Sequence, residues 1–284
     1  MSHLDLIIGT YSRINSLKTP NGGLYYFIKS LRKVNNLCKV VVFCEKEYLN
    51  KELIHFCKNN NVDIFYNFHL NYWMMYSRFE IYIKYIQDIC KKENINKILI
   101  TDMNDVIFQS DPFQIKFNYF YPALEINKHG FNNKDNIYDA RIAIQKYNLK
   151  EYSEWINSLW LEELKYLNYD KNILKNKYII CAGTILGDKN TILNFLYYYI
   201  KILKSHKYHA NDQAVLNIFS YKNNFNYNYY NQSKILTLDN IQFHSLKKNK
   251  KGLIINNNNE LYSIIHQINR CNIDYMKNLV DNLL

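Results

Sequence analysis

Four short apolar runs in the first hundred residues alternate with three stretches of helical periodicity, and that alternation limits the chain to one broad architecture. Leu4–Gly9, Lys39–Cys44, Val62–Tyr66 and Lys97–Thr101 have the length and β-branched content of strands. Between them, Gly23–Val34, Lys46–Lys58 and Met75–Lys92 repeat apolar residues at helical spacing. Strands alternating with helices in this way build βαβ units around a parallel sheet. After residue 110 the alternation loosens. Phe120–Ile126, Tyr178–Leu186 and Leu261–Ile265 read as strands. Tyr138–Tyr166, Thr191–Lys204, Gln213–Phe219 and the last residues read as helices, so the sheet there is expected to be mixed. No repeat and no Pro/Ser/Gly-rich linker divides the 284 residues, which predicts a single α/β domain.

The formal net charge of +11 favours anionic partners such as nucleotides, phosphates, nucleic acid or an anionic membrane surface. The lysines are scattered apart from Leu246–Gly252 (LKKNKKG), where a solvated loop is favoured over a nucleic-acid patch. No specific nucleic-acid partner is expected. Six cysteines (Cys38, Cys44, Cys57, Cys90, Cys181, Cys271) show neither CxxC pairing nor zinc-like spacing, which suits buried thiols in a reducing compartment. The apolar stretch near the N-terminus is too short for a signal peptide, and no apolar run reaches bilayer length. A soluble, cytoplasmic or otherwise intracellular protein is the expectation.

Ile98–Phe113 (ILITDMNDVIFQSDPF) follows the fourth strand with acids at 102, 105 and 111. In open α/β sheets, ligands sit beyond the carboxyl ends of the strands. Carboxylates gathered there need a compensating charge, from a hard divalent cation or from a basic side chain. Asp111 precedes Pro112 and reads as a helix cap. Asp105 and Asp102 read as metal ligands ahead of turn-capping or ion-paired residues. Two of only seven glycines, Gly183 and Gly187, interrupt an apolar strand and mark a close approach there, by a ligand in preference to a bulge or a packed helix. Asp212 either caps a helix or presents its carboxylate to a hydroxyl. Arg78, near a helix start, suits phosphate or an ion pair with Asp102 or Asp105. His266 ends an apolar strand, where it is a ligand for a borderline cation or a structural histidine.

The acidic stretch resembles the metal-binding DxD motif of GT-A-fold glycosyltransferases, in a variant with two residues between the acids and a following DPF. Three more segments are similar to that family in the expected order: CAGTILG (Cys181–Gly187), NDQAVLN (Asn211–Asn217) and IIHQINR (Ile264–Arg270). The departure is Met103 and Asn104 between the acids. Either Asp102 and Asp105 pair across a longer turn, or Asn104 stands in for one ligand beside Asp105 while Asp102 contacts ribose.

What the resemblance implies is a GT-A-like, Rossmann-type mixed sheet flanked by helices over 1–284. Residues 1–110 would form the nucleotide-binding half, and 111–284 the sugar- and acceptor-binding half. The implied activity is transfer of a sugar from a nucleotide-diphosphate donor, a UDP-sugar by preference, to a glycan, protein or small-molecule hydroxyl, with Mn²⁺ or Mg²⁺ as cofactor. Asp102, Asp105 and His266 would hold the metal, and Asp212 would be the base of an inverting reaction. Thr10 and Tyr11 follow the first strand, beside the expected nucleotide base. Arg78 and Arg270 would meet the diphosphate, and Ala182, Gly183, Gln213 and Glu125 the sugar, although Glu125 reads equally as a surface charge. Two other classes stay open: a metal-dependent nucleotidyltransferase, and a non-catalytic basic module that binds nucleotides or nucleic acid.

Overall fold

The computed structural model describes residues 3–11, 22–44, 49–66, 74–128, 177–205, 212–223, 225, 233–238, 246–268 and 273–283, with side chains at 74–77, 125–128, 178–179 and 273–276 excepted. The first third follows the expected alternation: β1 (Leu4–Tyr11), α1 (Gly22–Val34), β2 (Lys39–Cys44), α2 (Lys51–Asn59), β3 (Val62–Phe65), α3 (Met74–Cys90) and β4 (Ile95–Thr101). There follow β5 (Val106–Phe108), β6 (Phe120–Lys128), β7 (Tyr178–Asp188), α4 (Lys189–Ser205), α5 (Asp212–Lys222), β8 (Ile235–Thr237), β9 (Ile264–His266) and α6 (Ile273–Asp281).

These strands form one mixed sheet in the order β3-β2-β1-β4-β7-β6-β8-β9-β5. β1, β2, β3 and β4 are parallel; β7 runs antiparallel to β4 and β6, and β5 antiparallel to β9. The protein is therefore a single α/β domain, and its mixed half begins at β7, as the loosened alternation suggested. Leu6, Ile7 and Ile8 are all fully buried because helices cover both faces. On one face Leu6, Ile8, Ile98 and Ile100 pack with α3, α4 and α5. On the other, Ile7, Val40, Val42 and Leu99 meet α1, α2 and the returning β5. Each such buried branched side chain contributes on the order of 1.5–3 kcal/mol.

Several local expectations change. The second helix starts at Lys51 instead of Lys46, because Asn50 accepts the Leu53 N–H at 2.7 Å and caps it. The last strand is Ile264–His266, while Leu261 only bridges Ile255. β5 and β8, three residues each, are too short to announce themselves by periodicity. Asp111 caps as expected, accepting the Phe113 N–H at 2.9 Å, but Pro112 opens a single 3-10 turn. The helix expected over 138–166 lies outside the described residues, as do Arg270 and Cys271. Cys38, Cys44, Cys57 and Cys181 are buried free thiols, and Cys90 is half-buried. Among the described residues no helix is long and apolar enough to cross a membrane.

Strand direction then fixes the geography. The carboxyl ends of β1, β4 and β9, the start of β5 and the N-termini of α3 and α5 share one rim of the sheet.

Candidate functional site

β4 ends at Thr101, and the next peptide stays tied to the sheet: the Asp102 N–H donates to the Gly183 carbonyl at 2.8 Å. The chain then turns tightly through Met103 and Asn104 and returns as β5, leaving Asp102 and Asp105 on the two shoulders of the turn. Met103 is fully buried. Two glycines make room for this. A Cβ on Gly9 would lie 2.1 Å from the Thr101 carbonyl oxygen, and one on Gly23 would lie 1.7 Å from that of Asn104. Any larger residue at either position would push the acidic turn off the rim. The two-residue spacing between the acids thus has a structural reason: Met103 plugs the core beneath Gly9, and Asn104 presses its backbone on α1.

β9 delivers the third group. Its pairing sets His266 opposite Val106, and the Ile268 N–H donates to the Asp105 carbonyl at 3.1 Å. His266 is 1% exposed. Its Nε2 makes no hydrogen bond among the described residues and lies 3.7 Å from Asp102 Oδ2 and 3.8 Å from Asp105 Oδ1. Those gaps are too long for hydrogen bonds. They match the spacing of ligands that would share one cation at bond lengths of roughly 2.1 Å. One ligand atom from each of the three residues lies within 4.8 Å of the other two. A buried imidazole nitrogen without a partner is costly, and one nitrogen with two carboxylate oxygens is a donor set suited to Mn²⁺ or a similar divalent ion.

Gly183 lets the ring lie where it does. A Cβ there would be 2.2 Å from His266 Cε1, 2.3 Å from Nε2 and 2.8 Å from Asp102 Oδ2. At this glycine the close approach is to the His266 imidazole, not to a bound ligand. At Gly187 the neighbour is Ile192 of α4, at 3.0 Å, so that position is helix packing, not ligand approach. Cys181, two residues before Gly183 on β7, places its Sγ 3.5 Å from His266 Nδ1. The opposite ring edge therefore faces the carboxylates.

Arg78 reaches in from α3 and holds two acids at once. Nη1 donates to Asp102 Oδ1 at 2.8 Å, and Nη2 donates to Asp212 Oδ2. Its side chain is 10% exposed, and Nε makes no hydrogen bond among the described residues. Asp212 Oδ1 accepts the Gln213 N–H at 2.8 Å at the start of α5, while Oδ2 meets Arg78, an ion pair that the sequence did not suggest for this acid. Burial opposes the Arg78 charge, but Asp212 and Asp102 outweigh it and raise the guanidinium pKa further. Burial alone would raise the Asp102 carboxyl; Arg78 and His266 overcome that and hold it below its ordinary value. For His266, burial works against protonation, yet Cys181, Asp105 and Asp102 raise its pKa well above the usual imidazole range.

No family model matches this chain, and no curated protein does.

The rim thus gathers Asp102, Asp105, His266, Gly183, Arg78 and Asp212 from four strands, their connecting turns and two helices. Ala182 is buried beside Gly183, and Gln213 is half-buried at the start of α5. Thr10 is half-buried at the end of β1, on the same rim. Tyr11 packs into the core with Leu24 and Cys44 and is 4% exposed. Glu125 lies on β6, with its side chain outside the described residues, and Arg270 is outside them altogether. Sequence reasoning missed Cys181 as the support of His266, and Gly9 and Gly23 as clamps on the acidic turn. The scarcity of glycine was the available signal for the last two.

Proposed function

We propose that the protein is a divalent-metal-dependent glycosyltransferase that uses a nucleotide-diphosphate sugar, a UDP-sugar in the first instance. The observation that carries this reading is the buried, unpartnered Nε2 of His266 facing Asp102 and Asp105 at the carboxyl end of β4. The four segments that resemble GT-A enzymes supply the rest, and each contributes a residue to this rim.

A bound Mn²⁺ or Mg²⁺ would offset the charge of the departing diphosphate. Asp105, His266 and the Oδ2 of Asp102 would hold that ion, while Asp102 Oδ1 is bonded to Arg78. Arg78 is a permanent cation beside the position of the phosphates and fixes the orientations of both Asp102 and Asp212. Asp212 offers its carboxylate to a hydroxyl of the sugar or of the acceptor. Gly183 leaves space for the His266 imidazole against the backbone of β7, which keeps Nε2 turned toward the two carboxylates.

Incubating the chain with a panel of nucleotide sugars, with and without Mn²⁺, tests the proposal. Metal-dependent formation of the nucleoside diphosphate is expected from at least one donor. Asp105→Asn should reduce it by roughly 100-fold or more with an unchanged circular dichroism spectrum. Pyrophosphate release would point to a nucleotidyltransferase. Full turnover by Asp105→Asn, or in the presence of a chelator, would refute the assignment.

A further inference from the structure

The two ends of the sheet differ in charge. At the end opposite the acidic rim, where β1, β2 and β4 begin, lie the two most exposed large apolar side chains of the described residues: Leu37 ahead of β2, 82% exposed, and Tyr119 ahead of β6, 63% exposed. A basic hairpin reaches the same end. It is the first of two successive turns in residues 246–262, closed by the Lys248–Ile254 and Ile255–Leu261 bridges, and four of the five residues from 247 to 251 are lysine.

This hairpin has a fixed shape. Asn249 Oδ1 accepts the N–H groups of Lys251 at 2.9 Å and Leu253 at 3.0 Å, and Gly252 takes a φ of +78°. Gln109, directly after β5, fastens its base. The Gln109 amide accepts the Ile254 N–H at 2.8 Å and donates to the Ile254 and Tyr262 carbonyls, both at 2.9 Å. Gly252 sits beside Asn282 just past α6, and Lys33 of α1 donates to the Val280 carbonyl at 2.7 Å. Asn35 joins the Leu37 loop to Asp111 at 2.9 Å, so hairpin, α1 end and Leu37 form one surface.

The hairpin's share of the charge on that surface is positive, while Asp111, bonded to Asn35 of the Leu37 loop and to the Phe113 N–H, keeps its own negative charge. Glu260 is paired with Lys234 at 3.0 Å and Asp281 with Lys29 at 2.8 Å, while Asp188 caps α4 through Thr191. Lys116, Lys250 and Lys251 are exposed and have no acidic partner within 4 Å among the described residues. Lysines at helix C-termini, such as Lys33 and Lys58, are accounted for by the helix dipole. Lys250 and Lys251 lie on the hairpin turn, away from any helix C-terminus.

We infer that this end of the molecule docks on an anionic membrane surface, with Leu37 and Tyr119 entering the headgroup layer and Lys116, Lys250 and Lys251 facing the acidic lipids. Apolar side chains beside clustered lysines match an interface that is greasy beneath and negative on top. Nucleic acid is the poorer fit: the hairpin offers compact lysine charges and no arginine for bidentate phosphate contacts. Docked this way, the acidic rim points away from the bilayer and stays open to solvent.

Sedimentation of the full chain with phosphatidylcholine vesicles, with and without about a third phosphatidylserine, is the test. The chain should pellet only with the anionic vesicles, and less as salt rises. Each lysine is worth about fivefold in partitioning, so K116E/K250E/K251E should lose well over tenfold, and Leu37→Ser a smaller, salt-insensitive part. Mn²⁺ affinity and circular dichroism of the variants should match the parent, which keeps this test separate from that of the catalytic reading. Equal pelleting with both vesicle types, an unaffected triple variant, or tighter binding to polyuridylate or heparin than to anionic vesicles would overturn the inference.

Discussion

Cys181 holds the Nδ1 edge of His266, so its value to the rim is orientation. Partners behind a metal-binding histidine typically carry 10–100-fold of metal affinity. Cys181→Ala should therefore weaken Mn²⁺ binding about tenfold in isothermal titration, with Cys181→Ser recovering part of the loss through its hydroxyl. Equal affinity in all three proteins would mean that the thiol is mere packing. The same imidazole sets a pH dependence. Its pKa without metal is raised well above the ordinary value, chiefly because Cys181 and the two carboxylates outweigh the opposing effect of burial. The raised pKa favours the protonated ring in the metal-free protein, and a metal ion would have to displace that proton. The sign follows: affinity should climb as pH rises through neutrality and level off only above the raised pKa. Mn²⁺ titrations from pH 6 to 9 should show this slope in the parent and lose most of it in His266→Gln.

At the scale of elements, the short strands depend on side chains for their placement. β5 has three residues, and its continuation is fastened by Gln109, which uses its amide oxygen once and its amide nitrogen twice. Gln109→Leu keeps the volume but removes three hydrogen bonds, leaving the Ile254 carbonyl only its bond from the Tyr262 N–H, at a cost of roughly 2–4 kcal/mol. A fall in the urea midpoint with unchanged slope would record it; a loss under about 0.5 kcal/mol would show the hairpin secured elsewhere. The Phe108 N–H is likewise taken by Ser30 of α1, which covers the sheet edge. Such fastenings are not periodic, which is why β5, β8 and the hairpin do not emerge from hydrophobic spacing. Strands buried on both faces, such as LDLIIG and KVVVFC, do emerge, because continuous apolar runs are what two covering layers require.

Across the whole molecule, an ion at the rim would join β4, β5 and β9, whose ends bring two carboxylates and one buried imidazole together. Binding to the folded state alone stabilises it by about 2.7 kcal/mol at a hundredfold excess over Kd. Mn²⁺ should raise Tm by several degrees, a chelator should reverse this, and Asp105→Asn should abolish it. A Tm indifferent to Mn²⁺ and Mg²⁺ would remove the metal from the account.

The sequence by itself determined the α/β class, the parallel first half and the position of the acids beyond the fourth strand. Those follow from local periodicity and from the rule that sheets open their ligand edge at the carboxyl ends of strands. Tertiary structure alone decided that His266 and Gly183 meet across three strands, that Arg78 joins Asp102 to Asp212, and that Tyr11 turns into the core. Residues 24 to 164 positions apart in the chain become neighbours there through sheet order and register. Nothing in local spacing encodes which strand lies beside which, because that choice is made by the burial of whole faces.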